Sequence, residues 1–110
     1  MNIEQIRDYA LQKENVEECF PFGEETLVFK TGGKIFLLAG LESFPASINL
    51  KCDPDRALEL REEYEDITPG FHMNKKHWNT VMIESRIPAK LIKEMIDHSY
   101  SLVLPKSKKS

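Results

Sequence analysis

The chain has 110 residues, 41% apolar and 30% charged, with a formal net charge of −3. That length supplies one hydrophobic core, the composition is too apolar for intrinsic disorder, and no apolar run reaches the roughly 18 residues of a bilayer span. The opening Met1-Asn2-Ile3-Glu4-Gln5 lacks the basic and apolar regions of a secretory signal, and Cys19 and Cys52 stand alone without C-x-x-C spacing, so the expectation is a cytoplasmic protein with reduced thiols.

Asn2-Ile3-Glu4-Gln5 has the form of a capping box, and Ile3, Ile6 and Ala10 recur at helical spacing, which predicts an amphipathic helix over about residues 3–13. Phe20-Pro21-Phe22-Gly23 breaks it off. The β-formers Thr26–Thr31 and Lys34–Ala39 flank Gly32-Gly33, two residues that tolerate the positive φ of a tight hairpin turn. Ala46, Ile48, Leu50 and Cys52 alternate with Ser47, Asn49 and Lys51, the pattern of a strand with one apolar and one wet face.

Asp53-Pro54 starts a second helix, carried by Ala57, Leu58, Arg61 and Tyr64 to about residue 64. Ile67-Thr68-Pro69-Gly70 reads as a turn, Phe71-His72-Met73 as a short extended piece, and Asn74-Lys75-Lys76-His77 as a polar hairpin tip. Trp78–Glu84 reads as a strand. After Ile87-Pro88, the apolar positions Leu91, Ile92, Met95, Ile96, Ser99, Leu102 and Val103 predict a final helix that covers the sheet and ends at Pro105. The expected order is therefore α-β-β-β-α-β-β-α, an α+β domain over residues 1–104 with helices on one face of an antiparallel sheet, followed by a basic, disordered tail at 105–110.

Charge is segregated along the chain. Residues 1–25 carry a net −5, residues 26–52 a net +2, residues 53–66 a net −5 and residues 67–110 a net +5. If the fold gathers the positive segments, a weakly acidic protein still presents a basic face to a polyanion.

Catalytic signatures are weak. His72 and His77 lack a third ligand at recognisable spacing, neither cysteine has a sequence neighbour that lowers its pKa, and Gly32-Gly33 precedes a strand rather than the helix N-terminus that phosphate binding uses. The strongest constellation is Lys75-Lys76-His77-Trp78-Asn79: lysines meet phosphates, an aromatic ring stacks on a base, and asparagine pairs with base edges or phosphate. For Trp78 itself the reading is a core anchor, since a lone tryptophan among β-formers usually packs inward.

The order and spacing of several motifs resemble the MmcQ/YjbR family of small bacterial proteins. The resemblance rests on Phe20-Pro21-Phe22-Gly23, Val28-Phe29-Lys30, Gly33-Lys34-Ile35-Phe36, Asn49–Pro54, Leu60-Arg61, the stretch from Pro69-Gly70 to Val81, and Ser99–Val103. It implies a CyaY-like, frataxin-like fold and a DNA-binding role through a double-wing motif. Carried onto this sequence, that role falls on Lys75, Lys76, His77, Trp78 and Asn79, with Lys51 added through its strand. The expected function is weak, salt-sensitive DNA binding by a monomer, with no catalysis and no cofactor. The frataxin-like resemblance also implies an alternative, metal or protein-partner binding through Glu14, Glu17, Glu18, Glu24 and Glu25, and a further possibility is an interaction through the wet face of Ser47, Asn49 and Lys51.

Overall fold

A computed structural model describes residues 1–42, 44–70 and 73–104. The elements are α1 (Ile3–Leu11), β1 (Val16–Cys19), β2 (Thr26–Thr31), β3 (Lys34–Gly40), β4 (Ser47–Lys51), α2 (Pro54–Glu63), β5 (Ile67–Pro69), β6 (Trp78–Met82) and α3 (Ala89–Leu102). The six strands form one antiparallel sheet in the order β1-β2-β3-β4-β6-β5. This is the expected α+β architecture with two strands that the sequence reading did not place, β1 and β5, one at each edge. The second lies where a turn was expected. The expected extended piece at Phe71-His72, the stop at Pro105 and the tail at 105–110 fall outside the described residues.

α1 begins with the predicted capping box: the Asn2 side chain accepts from the Gln5 N–H at 2.8 Å, and the Gln5 side chain accepts from the Asn2 N–H at 3.0 Å. Gly32 and Gly33 have φ of 57° and 79°, the backbone that the two-residue β2–β3 turn demands. β3 then inserts one extra residue opposite Phe29 and Lys30, so Phe36 and Leu37 both turn toward the core. Phe36 packs edge-on against Tyr100 of α3, ring centroids 5.3 Å apart.

Register assigns the two faces. Leu27, Phe29, Leu37, Ala39, Ile48, Leu50 and Val81 point to one side and pack with Ile6 and Ala10 of α1, Ala57 and Leu60 of α2, and Ile92, Met95 and Ile96 of α3. The other side carries Cys19, Lys30, Ser47, Asn49, Lys51, Trp78, Thr80 and Met82, with Val28 and Leu38 as a buried apolar centre. Buried Cys52 follows β4 on the core side as expected, and burial pushes its thiol pKa up, away from nucleophilic use. Among the described residues no helix is long and apolar enough to cross a membrane.

α3 is tied to the start of α2 by His98, whose Nε2 accepts from the Asp53 N–H at 3.1 Å. Partial burial, and then the charge of Arg56, hold its pKa below the ordinary histidine value. The neutral ring is the native form, so its contribution to stability is present above the unfolded value and is lost as pH falls below about 6.5. Urea midpoints should therefore decline through that range, and His98→Gln should flatten this decline.

Candidate functional site

The β5–β6 hairpin carries the loop of interest. Gly70 donates to the Trp78 carbonyl at 2.8 Å, and a Cβ at Gly70 would stand 2.8 Å from the Trp78 Cβ, so the hairpin closes tightly only with glycine there. Asn74 organises the tip: its carbonyl accepts from His77 N at 3.2 Å and Trp78 N at 3.0 Å, and its side chain accepts from Lys76 N at 3.0 Å. His77 O accepts from Cys52 N at 2.7 Å, which joins the loop to the end of β4.

α2 clamps the same loop from the helix side. Arg61 donates through Nε to Asn79 Oδ1 at 2.7 Å, and through Nη2 to the Trp78 carbonyl at 3.2 Å and to the Lys75 carbonyl. The guanidinium is spent on structure, and the backbone of Lys75 to Trp78 is held against β6.

These contacts bring together five of the six expected residues. Lys51 is the register partner of Trp78 on the open face. Lys75 and Lys76 are exposed in the adjoining loop, and His77 and Trp78 are half-buried. The core-anchor reading of Trp78 does not hold: Val81 faces the helices, and the two-residue period then puts Trp78 on the open side. Asn79 parts from the group, because the same period turns it inward, where it is 1% exposed and bound to Arg61. It is out of reach of a ligand on the open face, and its Nδ2 has no hydrogen-bond partner among the described residues. His72 lies outside the described residues.

Further cations stand at the same end of the sheet. Lys34 opens β3 after the Gly32-Gly33 turn, and Lys30 lies on the open face opposite Glu17. The sequence reading counted both lysines in a positive segment but did not place them in the site; their position beside the glycine turn was the available signal. Asn49 and Thr80 form the polar floor, with Thr80 Oγ1 donating to Asn49 Oδ1 at 2.5 Å.

The acidic residues of the alternative reading are dispersed. Glu18 points to the helix side, where Arg7 donates to its two oxygens at 2.8 and 2.6 Å and holds its carboxyl below the usual carboxylate range. Glu14 and Glu17 stand near the basic end, while Glu24 and Glu25 lie beyond the far end of β1. No three His, Cys, Asp or Glu side chains among the described residues are grouped so as to hold a metal ion.

The fold and site together define an α+β domain with helices on one sheet face only and a basic loop at one end of the other. The chain belongs to the YjbR family, whose sequence model matches residues 11–102. It is 44% identical to the uncharacterized protein YbdF of Escherichia coli O157:H7 over 92% of this chain and 83% of that one. It is 29% identical to the uncharacterized protein YjbR of Escherichia coli K12 over 99% and 95% of the two chains. A crystal structure of the Deinococcus radiodurans protein DR2400, described as a DUF419 domain, superposes with a TM-score of 0.90 at 38% identity, covering 96% of this chain and 80% of that one. A crystal structure of a Pseudomonas syringae protein gives 0.83 at 29% identity, over 94% and 100%.

Proposed function

We propose that the chain binds DNA weakly and in a salt-sensitive manner, through the basic loop and the adjoining open sheet face, and that it performs no chemistry on it. The observation that carries this reading is the Lys51–Trp78 register pair, which sets an aromatic ring on the helix-free face next to the loop of Lys75 and Lys76. An indole partly exposed on a sheet can stack on an unpaired base, while lysines around it meet phosphates without reading sequence. The acidic overall charge limits the strength of the interaction, since three to five lysines at one end are the cations available to it.

Lys75→Ala with Lys76→Ala should leave the fold intact, both side chains being exposed, and should flatten the log-log salt dependence of duplex binding by about 2. Trp78→Ala should weaken single-strand binding by about 1–3 kcal/mol and duplex binding less. The two variants are compared by fluorescence anisotropy with labelled oligonucleotides. Wild-type affinity and salt dependence in the double lysine variant would remove the loop from the interface.

A further inference from the structure

Exposed large apolar side chains are concentrated away from the basic loop. Of the six among the described residues, Phe20, Phe22, Leu41 and Phe44 belong to the β1–β2 and β3–β4 connections, with 48%, 64%, 43% and 97% of their surface exposed. Both connections lie at the same end of the sheet, because Cys19 pairs with Val28 and Thr26 with Gly40. The Leu41 N–H donates to the Glu25 carbonyl at 2.8 Å and ties them together. Between them lies an open depression of about 590 Å³, lined by Phe22, Leu41, Glu24, Glu25 and Glu42 among others.

The charge within the two connections is of one sign, with Arg86 of the β6–α3 connection and the Met1 ammonium as the cations nearer α3 at this end. No Lys or Arg occurs between Lys13 and Lys30 or between Lys34 and Lys51, so neither connection contains a base. A second copy docked face to face would bring two sets of three carboxylates together, and an anionic membrane or a nucleic acid would meet the same repulsion. Apolar side chains rimmed by carboxylates fit a segment that is apolar on one side and cationic around it.

We propose that this end of the sheet docks a basic amphipathic protein segment, whose apolar side chains seat against Phe22, Leu41 and Phe44 while its Lys or Arg residues meet Glu24, Glu25 and Glu42. The surface is separate from the basic loop. The seven residues of β3 run from one end to the other, a span of about 23 Å. The domain can therefore hold a polyanion at one end and a cationic protein segment at the other.

The test is an amide NMR titration of the full isotope-labelled chain with a model helical peptide of leucine and lysine, and with its leucine and glutamate counterpart. The basic peptide should shift amides at Phe22, Glu24, Glu25 and Leu41 with a dissociation constant below about 1 mM, and the acidic peptide should leave them unmoved. Glu24→Lys with Glu25→Lys, and separately Phe22→Ser, should each weaken the basic peptide at least about tenfold, a change of about 1.4 kcal/mol. All of these side chains are exposed, so the variants should keep the native amide dispersion. Equal response to both peptides, shifts confined to the helices or the open sheet face, or no response overturns the proposal. Concentration-dependent broadening of these loops in the free chain, abolished by Phe22→Ser, would assign the surface to a second copy and overturn it equally.

Discussion

Ser99→Ala is expected to destabilise the domain by about 2–4 kcal/mol, because one hydroxyl satisfies two main-chain groups that lie beyond the paired register of β3 and β4. Ser99 is fully buried on α3 and donates to the Phe36 carbonyl at 2.5 Å while accepting from the Lys51 N–H at 2.9 Å. The need arises in the sheet. Phe36 is the inserted residue of β3 and has no register partner in β2, and paired register between β3 and β4 stops at Leu37 and Leu50. Deleting the hydroxyl leaves a carbonyl and an N–H partly cut off from water, each costing about 1–3 kcal/mol. Ser101→Ala is the control: that hydroxyl is exposed and bonds the His98 carbonyl one turn back, so its loss should stay within about 0.5 kcal/mol. Urea unfolding of the two variants decides the matter, and a Ser99→Ala loss below about 1 kcal/mol would show that β3 and β4 find other partners. Because Lys51 stands at this junction, the variant should also loosen the basic end of the sheet.

Arg61→Ala should cost a similar amount, about 2–4 kcal/mol, and should release the loop that carries Lys75 and Lys76. The side chain holds Asn79 Oδ1 and the carbonyls of Lys75 and Trp78, so its removal leaves the buried Asn79 amide with neither end bonded. Arg61→Met combined with Asn79→Leu removes both members of the buried pair and should recover part of that stability. It should not restore the loop, which has lost its tether to α2 in either variant. Hydrogen exchange at the amides from Lys75 to Trp78 separates the two effects, with fast exchange expected in both variants. Protection equal to the parent chain would mean that Asn74 alone suffices to fix the hairpin tip.

The parts of the fold visible in the sequence are those where local chemistry and tertiary packing agree. The capping box of α1, the glycine turn of the β2–β3 hairpin and the alternation of β4 each carry a signal that the structure uses unchanged. The two edge strands carry none. Val16-Glu17-Glu18-Cys19 is acidic and does not alternate in hydropathy, and it becomes a strand because β2 offers it a ladder. Ile67-Thr68-Pro69 reads as a turn because of its proline, which an edge strand accommodates since that position need not donate to a neighbour.

The site was legible in composition and misread in parity. Trp78 and Met82 alternate with Asn79 and Val81, and each set contains an apolar residue that could lie in the core. A strand's faces exchange with a one-residue shift, so the choice between them came from packing that no local pattern records. Val81 and Ile83 won, which put Trp78 outside and Asn79 inside. The cost of turning Asn79 inward is met in part by Arg61, whose role has no signature in sequence beyond its place on α2.

Phosphate contact by the basic end of the open sheet face is read out by fluorescence anisotropy of a labelled duplex and a labelled single strand across a series of salt concentrations. Three or four lysine–phosphate contacts predict micromolar binding at low salt, with a log-log slope of about −3 to −4 for the duplex and a shallower one for the single strand. Absence of binding at low salt, or binding indifferent to salt, would mean that these lysines do not meet phosphates.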